Sequence, residues 1–110
     1  MGIPPRDERR WLELARLFKA LSDETRLRLL KLLLEQGTEG ALCVTALALK
    51  LGVTQSAVSQ HLAVLRAAGL VVDQRRGYFV HYTVNWARLG QMREQVRAVL
   101  GEELMENLAR

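Results

Sequence analysis

Hydrophobic residues recur every three or four positions through most of this chain and alternate with polar residues in one short segment near residues 70–84. The wider spacing predicts amphipathic helices, and the alternation predicts strands. Four helical segments precede the alternating segment and one follows it. In the second helix, Leu27, Leu30 and Leu34 form the expected core-facing stripe, which Leu29, Leu32 and Leu33 widen. Ser22 and Asp23 can cap the start of this helix. The predicted fold is mainly α (α+β).

The segment Gly52–Leu70 differs from an ordinary surface helix on its outer side. Its apolar positions share one stripe, Thr54 is expected to cap its start, and Gly69 is expected to end it in a left-handed conformation. A solvated helix would carry Lys and Glu on the opposite side. This one carries side chains that both donate and accept hydrogen bonds, which suits contact with base edges in a DNA major groove. They are Gln55, Ser56, Ser59 and Gln60.

A short helix, beginning near the possible cap Thr45, precedes this segment and is joined to it by a tight turn containing Gly52. Residues 45–68 therefore form a predicted helix-turn-helix, whose second helix usually contacts bases. The alternating segment at about 70–84 predicts a β-hairpin with a basic, glycine-containing tip at residues 73–77. Its second strand is predicted to be Tyr78–Val84, with Tyr78 and Phe79 on opposite faces. A hairpin beside a helix-turn-helix makes a winged helix. Arg75 and Arg76 at its tip would reach phosphates or the minor groove.

The first and last helices, at about 7–21 and 86–108, are predicted to mediate dimerisation. The last would be about 34 Å long. A domain of this size cannot cover so long an apolar stripe, so half of it would be exposed in a monomer. A two-fold homodimer would cover it and would place two recognition helices about 34–36 Å apart, one turn of DNA. The expected interface residues are Trp11, Leu14, Phe18, Trp86, Leu89, Val96, Val99, Leu100 and Leu104.

The placement of charge supports a polyanionic partner. The chain carries a net charge of +4 over 110 residues. Between residues 40 and 84, four basic residues face one acidic residue, a net charge of +3, whereas residues 85–110 are balanced. The basic excess therefore coincides with the predicted helix-turn-helix and wing, which favours double-stranded DNA as the partner. The four basic residues are Lys50, Arg66, Arg75 and Arg76.

Length and composition predict one domain in a reducing compartment. Residues 1–5 are expected to be disordered, because Pro4 and Pro5 prevent an earlier helix start, and residues 6–110 are expected to form a single domain. The single cysteine, Cys43, cannot form an intrachain disulfide. No apolar run has the roughly 20 residues needed to cross a bilayer, and no signal peptide is recognisable. A cytoplasmic protein without membrane association is expected.

Two motifs resemble the ArsR/SmtB family of dimeric winged-helix transcriptional repressors. One is the run Phe18–Leu27, FKALSDETRL; the other runs from Ser56 to Val71 and contains Ser59, His61-Leu62 and Gly69-Leu-Val. The resemblance implies binding to an operator as a dimer, with release by an effector that is often a toxic metal ion. It places His61, with the four polar residues named above, on the recognition helix. A packing or phosphate-facing role for His61 remains an open alternative.

The effector site implied by the resemblance is incomplete in this chain. Metal-sensing relatives carry Glu-Leu-Cys-Val-Cys-Asp where this chain has Ala41–Ala46, ALCVTA. One thiol remains, and a soft metal needs two to four ligands. The other family site uses Asp and His in the last helix, and residues 85–110 contain neither. No metal or cofactor is therefore predicted, the effector is unknown, and Cys43 is expected to be a buried small hydrophobic residue.

The sequence thus predicts a DNA-binding transcriptional regulator, a repressor acting as a homodimer on a palindromic operator. Two alternatives remain: a winged-helix protein-interaction module without DNA binding, and a thiol-responsive repressor that uses Cys43. An enzyme is not expected, because neither His61 nor His81 has a Cys or carboxylate nearby in the sequence to form a catalytic site. The expected DNA-binding residues are Lys50, Thr54, Gln55, Ser56, Ser59, Gln60, His61, Arg66, Arg75 and Arg76.

Overall fold

The computed structural model describes residues 5–36 and 42–109, with side chains described for 9–36, 42–101 and 106–109. Within these residues it contains five helices and a three-stranded antiparallel sheet, which confirms the predicted fold class. The elements are α1 (Pro5–Leu21), α2 (Glu24–Gln36), β1 (Leu42–Cys43), α3 (Val44–Leu51), α4 (Gln55–Ala67), β2 (Val71–Arg76), β3 (Phe79–Val84) and α5 (Trp86–Leu108). No helix in the described part of the chain is long and apolar enough to cross a membrane.

The first helix begins at Pro5, two residues before the predicted start. Proline fits there because the first helical turn has no intrahelical partner for its N–H groups. The sequence predicts disorder for residues 1–5: residues 1–4 lie outside the described residues, and Pro5 is helical instead. At the other end, the Ser22 hydroxyl donates to the Lys19 carbonyl (2.7 Å), while the Asp23 carboxylate accepts from the Arg26 N–H (3.1 Å). Ser22 therefore closes α1, and Asp23 caps α2 as predicted.

The buried part of α2 lies within the wide leucine face that the sequence indicated, but it excludes Leu27. Leu29, Leu30 and Leu33 are buried, whereas Leu27 is 51% exposed. Six leucines among thirteen residues form overlapping stripes, so periodicity alone could not select the inner one. Packing of α3, α4 and β3 against α2 selects it.

The helix-turn-helix starts one residue earlier than predicted. Cys43 is the N-cap of α3 and makes no side-chain capping bond, so Thr45 does not cap this helix. Gly52 ends α3 with a φ of +68°, a conformation that L side chains rarely adopt, and the N–H groups of Gly52 and Val53 both donate to the Ala48 carbonyl. The turn that redirects the chain into α4 therefore depends on this glycine.

The C-terminus of α4 is closed by Gly69, as the sequence predicted. Gly69 has a φ of +78°, its N–H donates to the Arg66 carbonyl, and the Leu70 N–H donates to the Leu65 carbonyl. This is the hydrogen-bond pattern of a Schellman motif. It turns the chain from α4 directly into β2.

The sheet contains one strand that the sequence did not predict. The strand order is β1-β3-β2, and in β1 Leu42 pairs with Tyr82 and Cys43 with His81. Two residues are too few for an alternating pattern to be recognised. This strand ties the start of α3 to the sheet.

The wing, β2 and β3 with their turn, is tighter than predicted. Arg76 pairs with Phe79, so Gly77 and Tyr78 alone form the turn, and Gly77 supplies its positive φ of +64°. Arg75 and Arg76 therefore lie at the end of β2 rather than in a loop, and Tyr78 is a fully exposed turn residue rather than part of a strand.

Two leucines of α3 provide a matched test of the core. Leu47 is completely buried and Leu49 is 78% exposed. Leu47→Ala should lower the free energy of unfolding by about 2–5 kcal/mol, because it leaves a cavity. Leu49→Ala should change it by no more than about 0.5 kcal/mol. Urea denaturation of both variants measures this difference; equal losses would contradict the described packing.

Candidate nucleic-acid interface

Burial of one side of α4 determines which side faces solvent. Val58, Leu62 and Leu65 are at most 1% exposed and pack into the core. The outward side carries neutral polar residues and, in the first two turns, no charged residue. Its members, here called the polar face of α4, are Gln55, Ser56, Ser59 and Gln60, all exposed as predicted.

Thr54 serves as the N-cap of α4. Its hydroxyl oxygen accepts a hydrogen bond from the Ala57 N–H at 3.1 Å. The cap satisfies one of the backbone donors that a helix leaves unpaired at its N-terminus. Thr54 is exposed beside the polar face, so its structural role as a cap does not remove it from reach of a partner.

The four predicted cations around α4 differ in whether another side chain already binds them. Arg66 Nη1 lies 3.3 Å from Asp73 Oδ2, which links the last turn of α4 to β2. Arg76 Nη2 donates to Gln74 Oε1 at 3.3 Å along the wing. Lys50 and Arg75 are exposed and form no ion pair within the described part of the chain. Lys50 and Arg75 are therefore the cations freest to meet a phosphate.

His61 is separated from the polar face. It is half-buried, and its Nδ1 lies 3.3 Å from Arg26 Nη1. Since a guanidinium only donates, Nδ1 is the acceptor in this contact. The Arg26 Nε also donates to the Ala20 carbonyl at the end of α1. His61 thus joins a network that connects α1, α2 and α4, which favours the packing alternative over base contact.

Asp23 belongs to the same network. The hydrogen bond from the Arg26 backbone N–H, with a smaller contribution from the Arg26 charge, holds the pKa of Asp23 below its ordinary value, although partial desolvation opposes this. A lowered folded-state pKa stabilises the fold above the unfolded pKa, and that stabilisation is lost as the pH falls through the folded value.

Cys43 is half-buried and lies directly opposite His81 in the pairing of β1 with β3. The His81 Nδ1 is buried and has no hydrogen-bond partner among the residues that the structure describes. In the part of the chain that the structure describes, no three His, Cys, Asp or Glu side chains are grouped so as to hold a metal ion. The absence of a metal or cofactor remains a prediction from the sequence.

The residues expected at a dimer interface divide into two sets. Leu14 is only 5% exposed and belongs to the core of its own chain, and Leu89 and Val96 are half-buried against that core. The side chain of Leu104 lies outside the described residues. The exposed remainder lies along α1 and α5: Trp11, Phe18, Trp86, Val99 and Leu100.

One feature of the wing escaped the sequence-based prediction. Tyr78 is fully exposed and Phe79 is 63% exposed at the tip of the hairpin. The alternating pattern predicts that Tyr78 and Phe79 lie on opposite faces of a strand, but only Phe79 belongs to β3. Gly77, as the first residue of a two-residue turn, is the signal that could have revealed this turn. Phe79 pairs directly with Arg76 across the hairpin.

A helix-turn-helix followed by a β-hairpin against the same core defines a winged helix-turn-helix protein. The bacterial regulatory protein family arsR has a sequence model that matches residues 23–72. The solution structure of a homodimeric winged helix-turn-helix DNA-binding domain from Mycobacterium bovis, described as a possible ArsR-family regulator, has a TM-score of 0.70 and 28% sequence identity. The similarity covers 96% of this chain and 94% of that one.

Two relatives extend this similarity. The HTH-type transcriptional regulator CmtR of Mycobacterium tuberculosis is 43% identical over 94 residues, which cover 84% of this chain and 76% of that protein. The arsenical resistance operon repressor of Escherichia coli is 46% identical over 69 residues, 63% of this chain. The match spans only 56% of the length of that repressor. This chain belongs to the arsR family of bacterial regulatory proteins. These relatives are named as regulators rather than enzymes, in agreement with the sequence-based prediction.

The cap of α4 can be tested by a pair of substitutions. Thr54→Ala should destabilise the protein by about 1 kcal/mol, because the Ala57 N–H loses its acceptor. Thr54→Ser keeps the hydroxyl and should be nearly neutral. Thermal denaturation followed by circular dichroism compares the two; a serine variant as unstable as the alanine variant would contradict the capping role.

Proposed function

We propose that this protein is a transcriptional repressor that binds double-stranded DNA as a homodimer on a palindromic operator. The observation that carries the proposal is the polar face of α4. A surface helix with uncharged, hydrogen-bonding side chains, held by a buried opposite side, suits the donor and acceptor pattern of the major groove. The E. coli relative is named a repressor, and the M. bovis structure is described as a DNA-binding domain.

Cations around α4 support attraction to the DNA backbone. Lys50, in the last turn of α3, and Arg75, near the end of β2, carry charges that no described residue pairs. Each phosphate neutralised steepens the dependence of log affinity on log salt by about 0.9. Arg66 would contribute less, because Asp73 already holds it. A protein that acts on chromosomal DNA would work in the cytoplasm.

The α1–α5 surface supports self-association. Exposed Trp11 and Val99 flank a cavity of about 280 Å³ between the two helices. Gln95 also lines this region, and its buried Oε1 has no hydrogen-bond partner in the described part of the chain. A second copy would cover the apolar side chains and could supply the missing donor. The M. bovis protein with the same fold is described as homodimeric.

Base recognition is tested by Ser56→Ala combined with Gln60→Ala. Loss of the hydrogen bonds from two side chains on the polar face should reduce the preference for operator over random DNA by about 1–3 kcal/mol per base contact. Fluorescence anisotropy with duplexes from the region upstream of the protein's own gene measures this preference. Gln91→Ala, on α5, is the matched control and should keep it.

An unchanged operator preference in the double variant would contradict base recognition by α4. If the unmodified protein bound no DNA even at low salt, the protein-interaction alternative would replace the proposal.

Dimerisation is tested by Val99→Glu, which places a carboxylate on the exposed part of α5. Burying that charge at an interface is unfavourable, so the variant should be monomeric in sedimentation-velocity experiments. Leu49→Glu, at an exposed position of α3, is the control and should remain dimeric. A Val99→Glu protein that stays dimeric would exclude this part of α5 from the interface.

A further inference from the structure

A second basic region lies away from the polar face of α4. It surrounds a cavity of about 540 Å³ formed by α1, the first turn of α2, the C-terminal half of α4 and the start of α5. None of its basic residues was among the DNA-binding residues expected from the sequence. They are Arg16, Lys19, Arg26 and Arg88.

Positive charge exceeds negative charge in the described lining of this cavity. Glu13 is the only acidic residue in the described lining, and none of the four cations forms an ion pair within the described part of the chain. Arg88 donates to the neutral Gln91 side chain at 3.3 Å, and Arg26 donates to the Ala20 carbonyl. Three excess positive charges around one cavity repel one another, and a bound anion would relieve that repulsion.

The floor of the cavity is apolar. Leu17 and Ala20 are buried beneath it, and another side is lined by Val64, Ala67 and the C-cap residue Ala68 at the end of α4. Its volume falls within the range of about 300–1,000 Å³ typical of small-molecule sites. An apolar floor below a cationic rim matches a molecule with a phosphate group attached to a less polar body.

We propose that this cavity binds a phosphate group, with Arg16 and Lys19 as its principal ligands. Guanidinium and ammonium groups make short, charge-assisted hydrogen bonds to phosphate oxygens. Two sources share this chemistry: a small organic phosphate in solution and the backbone of bound DNA. Arg26 lines the cavity and also contacts His61 on α4, so an anion that attracts its guanidinium would perturb the support of α4. Binding to the free protein requires no DNA, so this site can be judged even if the proposed function fails.

The first experiment uses inorganic phosphate and the free protein. Phosphate should raise the melting temperature above that in chloride of equal ionic strength, and a titration gives the dissociation constant. Arg16→Gln combined with Lys19→Gln should weaken binding by about tenfold or more. Both side chains are exposed, so folding should be unaffected. Arg75→Gln combined with Arg76→Gln removes the same charge from the wing and should bind phosphate normally.

The second experiment identifies the source of the phosphate. If DNA supplies it, the Arg16→Gln, Lys19→Gln variant should lower the salt slope of DNA binding by about 0.9 per lost contact. If a free phosphate is the ligand, that slope should stay the same while phosphate stabilises only the proteins with an intact cavity. Equal stabilisation of both double variants, loss in the wing variant alone, or no phosphate effect together with an unchanged salt slope would overturn the proposal.

Discussion

Burial of Val58, Leu62 and Leu65 fixes the rotation of α4 about its axis. Because a helix repeats every 3.6 residues, once this side is committed to the core the polar face must point outward. The small polar residues of α4 would have no defined direction without that packing. The other elements are placed relative to α4: α2 and α3 pack against it, and β2 follows its C-terminus.

Two backbone turns fix where α3 and the wing lie relative to α4. Gly52 brings α3 next to the start of α4, and Gly69 sends the chain from α4 into the wing, each with a positive φ. The Arg66–Asp73 contact then links α4 to β2. This exposed pair adds little stability, since such pairs contribute about 0–1 kcal/mol. The position of the wing relative to α4 therefore depends mainly on the Gly69 turn and the pairing of β2 with β3.

Prediction from the sequence succeeded where one residue type has one strong local preference. The side chains of Thr54 and Asp23 cap the starts of α4 and α2, and the positive φ of Gly69 ends α4, as their residue types predict. Prediction failed where several choices were locally equal: the leucines of α2 allowed two faces, and the two residues of β1 gave no period. The basic cavity escaped notice because its cations, at positions 16, 19, 26 and 88, meet only after folding. Likewise, the interior position of Leu14 depends on how α1 packs, which its spacing does not reveal.

The central claim is that the polar face of α4 is the surface that meets DNA bases. It is tested most directly by NMR, through the changes in backbone amide shifts when an operator duplex is titrated into the labelled protein. The largest changes should fall on residues 54–60 of α4, with a second group on 75–79 of the wing and little change around residues 91–99 of α5. Changes concentrated on α5, with residues 54–60 unaffected at saturation, would contradict it.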